Sequence, residues 1–244
     1  MKALVVGGSS GIGLSIALLL GSRSDVEVVY ILDKNPIPKE YQTNKMHYIQ
    51  MDLSNPVNHS VLDAIGEIDA LYITAGFGHL KYFQELSYEY IQNSFAVNSV
   101  APIEIIRHYY NRLLNDKPFY CAVMVSIAGR LSSPMFSVYS ATKAALSKFI
   151  EAVNVELEVQ GFNNRILEVS PGSLQGTSFS GGKTDPQQTE SIAAEIIAKS
   201  EKSLDLFIPQ YEEVFKDVIQ RYQTDAHQFG VDSYWYKQKR LQNK

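Results

Sequence analysis

A compact apolar run, Ala3–Val6, ends in the glycine-rich turn Gly7-Gly8-Ser9-Ser10-Gly11-Ile12-Gly13, and a helically spaced segment, Ile12–Leu20, follows at once. A chain that passes from strand to helix on glycines presents free backbone N–H groups at a helix N-terminus, where those donors and the helix dipole favour an anion. Gly7, Gly11 and Gly13 have the spacing G-x-x-x-G-x-G, and a Cβ at such positions would block a pyrophosphate or forbid the backbone angles. Ser9 and Ser10 add hydroxyl donors. The turn therefore predicts a dinucleotide held at the start of the first helix.

The alternation of strand and helix continues down the chain. Val26–Leu32 is a second apolar, β-branched run that ends at Asp33, and Met46–Met51, Ala70–Thr74, Tyr120–Ser126 and Arg165–Val169 read as further strands. Helical spacing predicts helices over Val57–Ile65, Tyr88–Leu114 and Tyr139–Gln160. Continuous apolar strands separated by amphipathic helices predict a parallel sheet covered on both faces, and the right-handed crossover makes it an α/β, doubly wound sheet. A chain of 244 residues is enough for one such domain. Ser170–Gln188, rich in Gly, Ser, Thr and Pro, reads as a loop, and substrate contacts are expected over about 173–190. After residues 1–209 the pattern changes. Val214, Phe215, Val218, Ile219 and Tyr222 line one helical face, and Tyr234-Trp235-Tyr236 precedes a basic end, so 210–244 reads as a helical, aromatic extension that packs on the domain or on a sister subunit.

Charge and composition exclude several classes. With 22 basic and 26 acidic residues there is no basic stripe for nucleic acid. Cys121 is the only cysteine and lies in an apolar run, so it forms no intramolecular disulfide and reads as an inert core thiol. The five histidines have no metal-ligand spacing. No stretch approaches the ~20 apolar residues that cross a bilayer, and the apolar run before Gly7 is too short for a signal peptide, so a cytoplasmic protein is expected.

Asp33 stands 20 residues beyond Gly13, the separation expected of a carboxylate that binds adenosine ribose hydroxyls, and it would repel a 2′-phosphate. NAD(H) is thus preferred, with NADP(H) left open by the neighbouring Lys34. Asp52-Leu53, after the third strand, either approaches the adenine or forms a turn at a helix start, and Ala75-Gly76 closes the fourth strand where the backbone would pass the ribose. Tyr139 and Lys143 are four apart on one helix and so share a face, where an ammonium is expected to lower the phenol pKa for acid–base work. Ser126 ends a strand 13 residues earlier, and the Asn98 amide is placed to hold a water against Lys143. Phe77, His79, Arg130, Leu131, Met135, Phe136 and parts of Phe179–Pro186 are expected to face the substrate; Arg130 reads as a surface arginine and His79 as a plain loop residue.

Together Gly7, Gly11, Gly13, Asp33, Asp52, Ala75-Gly76, Asn98, Ser126, Tyr139-Ser140-Ala141-Thr142-Lys143 and Pro171-Gly172 resemble the short-chain dehydrogenase/reductase family up to about Pro209. The resemblance implies a single-domain Rossmann-type fold and an NAD(H)-dependent oxidoreductase acting on a small alcohol or carbonyl. It implies that Tyr139 is the general acid/base, that Ser126 orients the substrate oxygen, and that Lys143 binds the nicotinamide ribose and tunes Tyr139. It further implies that Asn98 completes a water relay and that Pro171, Gly172, Leu174 and Thr177 line the nicotinamide, in a homodimer or homotetramer. The chain departs from the family pattern at Val6, at Ile73-Thr74 and at Gly176, where a threonine is common and Thr177 falls one position late. A catalytically silent NAD(H)-binding sensor or scaffold is the alternative, but such a protein needs no acid–base group.

Overall fold

The computed structural model describes residues 1–177, 179 and 182–242. The described residues form a seven-stranded parallel sheet in the order β3-β2-β1-β4-β5-β6-β7. Its strands are β1 (Lys2–Val6), β2 (Val28–Asp33), β3 (Met46–Gln50), β4 (Ala70–Ile73), β5 (Tyr120–Met124), β6 (Ile166–Val169) and β7 (Leu206–Phe207). Helices α1 (Gly11–Ser22), α2 (His59–Ile65), α3 (Tyr88–Phe95), α4 (Ala101–His108), α5 (Tyr110–Leu113), α6 (Ser137–Val159), α7 (Pro186–Ser200), α8 (Lys216–Thr224) and α9 (Ala226–Gln242) accompany them.

The apolar runs are strands because both of their faces are covered. Successive side chains of a strand point to opposite faces. Leu4 and Val6 accordingly join Leu62, Ile105, Leu146 and Ile150 in one core layer. Ala3 and Val5 join Leu14, Ile16, Leu20, Ala193 and Ile196 in the other. Leu4, Leu14, Ile16 and Leu71 are fully buried, each stabilising the fold by about 1.5–3 kcal/mol relative to an exposed side chain. Because β1 pairs with both β2 and β4, the chain reverses direction across the sheet between them. That reversal opens a crevice at the carboxyl ends of the strands, where ligands of such sheets bind.

Several limits differ from the sequence reading. β2 begins at Val28, β4 stops at Ile73 and β5 at Met124. Thr74 ends β4 because its hydroxyl turns back to the Val6 and Gly7 carbonyls at 3.0 and 3.1 Å. The single helix expected over Tyr88–Leu114 is divided, with a π-helical turn at Ala96–Val100 and a break at Tyr109. The expected loop ends at Asp185, which caps α7 through the Gln187 N–H at 3.1 Å with Pro186 in the first helical position. Ser178, Ser180 and Gly181 of the expected substrate loop, and Asn243 and Lys244 of the tail, lie outside the described residues. No helix of the described residues is long and apolar enough to cross a membrane.

Candidate active site

The glycine turn folds tightly against the ends of β1 and β4. Gly7 has φ +83°, and a Cβ there would come within 2.5 Å of the Ala75 nitrogen. A Cβ on Gly13 would overlap the Gly7 carbonyl and the Thr74 hydroxyl. Only glycine permits this packing, and it leaves α1 starting at the turn with its first amides directed outward. Ser10 is the N-cap, Ser9 is buried, and Ile12 anchors the helix in the core. The Asp33 carboxylate, at the end of β2, accepts the Ser9 N–H at 3.0 Å and the Asn35 N–H at 3.0 Å. It therefore sits against the turn.

The segment after β6 crosses the same place. The Thr184 hydroxyl accepts the Gly11 N–H at 3.4 Å, and Thr177 packs its methyl 3.5 Å from the position a Gly11 Cβ would take. Leu174 packs beside α1 in the second core layer. Asp52 instead serves its own turn, accepting the Ser54 N–H at 2.9 Å and the Ser54 hydroxyl at 2.8 Å, which holds its carboxyl below the usual range. Leu53 is buried in the core. Asp52 and Leu53 thus form the turn that follows β3.

The second cluster lies at the ends of β4, β5 and β6. Tyr139, the third residue of α6, is 9% exposed, and its ring lies 5.8 Å from Phe136 and 5.1 Å from Phe179. Lys143 is buried one turn on, its amine donating to the Met124 carbonyl at 2.8 Å and lying 6.0 Å from the Tyr139 ring centre. The Asn98 amide, in the π-helical turn, bridges both backbone groups of Phe77 at 2.9 Å and donates to the Thr142 hydroxyl at 3.1 Å. Asn98 Oδ1 and Lys143 Nζ face each other over Gly76, each 3.2 Å from where its Cβ would stand. The Ser126 hydroxyl accepts the Ala128 N–H at 3.1 Å and donates to the Pro171 carbonyl at 3.4 Å, while Phe215 fills the space above Gly172.

Electrostatics correct one expectation. Burial pushes the Lys143 amine down to about 7, because desolvation penalises the ammonium. Burial also pushes the Tyr139 phenol up to about 12, with the Ser126 hydroxyl drawing it part of the way back. The expected lowering of the phenol by Lys143 is absent from the chain alone, since the same dry environment that raises the phenol also weakens the amine's hold on its proton.

Arg130 departs from the reading as a surface side chain. Its guanidinium donates twice to one oxygen of Glu168, at 3.0 and 2.7 Å, and Glu168 is 2% exposed. Ser147 and Ser170 complete that carboxylate's partners at 2.9 and 2.6 Å. His79 stacks on Tyr90, which also meets Phe77 edge-on. Sequence reasoning missed Glu168 and gave Thr74, Thr142 and Thr184 no contacts of their own. Thr142 had a usable signal, lying between Tyr139 and Lys143 on the inward helical face.

Among the described residues no group of three acidic, His or Cys side chains is placed to hold a metal. A dinucleotide fits better: the glycines let the turn pack tightly at a helix N-terminus, beside a carboxylate that accepts backbone N–H groups.

The family model described as short chain dehydrogenase matches residues 1–202. An uncharacterized short-chain type dehydrogenase/reductase of Sinorhizobium fredii is 30% identical over 175 residues, which cover 71% of this chain and 69% of that protein. An uncharacterized oxidoreductase of Saccharomyces cerevisiae is 22% identical over 189 residues, 72% of this chain, and this chain spans 61% of that longer protein. The crystal structure of a short-chain dehydrogenase from Burkholderia cenocepacia, in complex with NADP, superposes with a TM-score of 0.75 at 20% identity over 95% of this chain and 96% of that one.

Proposed function

The chain belongs to the short-chain dehydrogenase family of oxidoreductases, and from that membership we propose that it interconverts a small alcohol and its carbonyl with NAD(H), Tyr139 carrying the proton. The observation that carries this reading is the meeting of Ser126, Tyr139, Lys143 and Asn98 at the strand ends beside the glycine turn. A bound nicotinamide supplies or accepts the hydride, and the protein contributes orientation and proton transfer. Ser126 donates its hydroxyl hydrogen to the substrate oxygen. In the reducing direction the Tyr139 Oη proton passes to that oxygen, and a protonated Lys143 stabilises the phenolate left behind. Lys143 is suited to this because, near 7, it gains and loses a proton at working pH. Asn98 holds the Phe77 backbone and Thr142, and so keeps the floor beside Lys143 in position.

Gly7, Ser9, Ser10, Gly11, Ile12 and Gly13 would cradle the pyrophosphate, with Asp33 taking the adenosine ribose. A fixed carboxylate there favours NAD(H), whereas the related Burkholderia structure carries NADP. The reading includes assembly into a homodimer or homotetramer, as family members commonly show. Turnover of NADH or NAD with a panel of simple ketones and alcohols tests the reading. Cofactor binding without turnover across that panel favours the silent sensor.

A further inference from the structure

The chain after Pro209 touches loops at the ends of three strands. Phe215 covers Gly172 after β6, Tyr234 meets Tyr82 after β4 at 6.3 Å, and Lys237 reaches the loop after β5. Gly230, Tyr234 and Lys237 are spaced by four and three, so α9 turns one face towards these loops, with Gly230 opposite Ser132.

The loop after β5 contains a strained turn. Ser133-Pro134-Met135-Phe136 closes with the Phe136 N–H on the Ser133 carbonyl at 3.0 Å. Pro134 in second place and a left-handed third residue are the arrangement of a type II turn, which ordinarily takes glycine third. Met135 stands there at φ 65° and is 6% exposed. A non-glycine residue held in this region is strained and persists only where its surroundings over-determine it. Two residues do so: Lys81 N–H donates to the Met135 carbonyl at 2.9 Å, and the Lys237 amine donates to the Ser133 hydroxyl at 2.7 Å and the Pro134 carbonyl at 3.0 Å. The amine also lies 5.7 Å over the Phe136 ring, and Phe136 caps the helix that carries Tyr139. Among the described residues no carboxylate pairs with Lys237, so a half-buried cation is spent on neutral oxygens and a ring face.

We propose that Lys237 is a positioning residue of the active site: from the C-terminal extension it clamps the strained Ser133–Phe136 turn and thereby sets Tyr139 at the start of its helix. The catalytic consequence rests on the function proposed above; the clamp itself does not. Burial lowers the amine to about 8, which leaves it mostly protonated at neutral pH and able to donate to both oxygens.

The test uses the full chain carrying Lys237→Met, which keeps the apolar stem, Lys237→Arg, which keeps the donors, and Ser133→Ala, which removes one anchor from the opposite side. Amide hydrogen exchange over residues 131–138 should quicken at least severalfold in Lys237→Met and Ser133→Ala and return towards wild type in Lys237→Arg. With a turned-over ketone, kcat should fall about tenfold in Lys237→Met, the effect of one charged hydrogen bond, while the Kd for NAD stays within about twofold. Met135→Gly should shrink the Lys237→Met effect on exchange, since glycine holds the turn without strain. Unchanged exchange over 131–138 in both Lys237→Met and Ser133→Ala overturns the clamp. Changed exchange with unchanged kcat overturns its link to Tyr139. A wild-type chain that turns over no alcohol or carbonyl removes the proposed function, and the exchange result then still decides the clamp.

Discussion

The Lys143 amine stands 6.0 Å from the centre of the Tyr139 ring and gives its hydrogen bond to the Met124 carbonyl. Loss of water shifts both groups, in opposite directions, because lysine is charged when protonated and tyrosine when deprotonated. The proposed function requires the amine to regain its proton, so that its charge can stabilise the phenolate.

Replacing the phenol tests its role most directly. Tyr139→Phe should lower kcat by about 10²–10⁴, the usual contribution of a general acid or base, and leave NAD affinity within a few-fold. Steady-state kinetics and a fluorescence titration measure the two. A mutant that keeps most of its rate removes Tyr139 from the chemistry.

The buried amine should make stability depend on pH. Folded, Lys143 loses its proton near 7; unfolded, it keeps it to 10.5. Between those values the unfolded state holds the extra proton, so stability rises with pH, by at most about 1.4 kcal/mol per unit. Above pH 10 the Tyr139 shift acts the other way, because the unfolded phenol ionises first. Urea unfolding at pH 7 and 9 should show a steeper rise for the wild type than for Lys143→Met. Equal slopes would contradict a neutral buried amine.

In the proposed function Asp33 selects the cofactor. Asp33→Ser removes the carboxylate that accepts the Ser9 N–H, and the NADP(H) affinity relative to NAD(H) should rise at least about tenfold, a change of about 1.4 kcal/mol. Dissociation constants for both dinucleotides measure it. Tighter NADPH than NADH binding by the wild type would reverse the assignment.

Gly13→Ala drives a methyl into the Gly7 carbonyl and the Thr74 hydroxyl. Overpacking of this kind costs about 1–3 kcal/mol, and the same shift should weaken NAD binding. A urea midpoint equal to wild type would mean that the turn is looser than described.

Arg130→Ala leaves the Glu168 carboxylate buried with only the Ser147 and Ser170 hydroxyls. Breaking a buried pair from one side costs about 3–5 kcal/mol, whereas replacing both members with apolar residues should recover much of it. Denaturant unfolding of Arg130→Ala and of Arg130→Met/Glu168→Leu separates the two outcomes.

The elements with strong local causes were legible. Val28–Asp33 and Tyr120–Met124 are apolar because both sheet faces are covered, and Gly7 and Gly13 report the tight turn through a packing that only glycine permits. Readings that depend on a distant partner were not legible. Nothing local to Glu168 announces Arg130, 38 residues away, and β7 is two residues long and exists by pairing with β6. The pKa of Tyr139 was misread because i,i+4 spacing gives proximity to Lys143 but not the shared loss of water. The turn at Met135 has its proline in plain view, yet methionine conceals the left-handed backbone that glycine would have advertised.

The π-helical turn at Ala96–Val100 has a bearing on engineering. A widened turn is less favourable than a regular helix, so trimming one residue here or adding stronger helix formers is an obvious route to heat resistance. Trimming would rotate everything downstream by about 100° around the helix axis and swing Asn98 off Phe77 and Thr142. A hardier protein obtained that way should be a poorer catalyst, which makes this irregular stretch the last place to tidy.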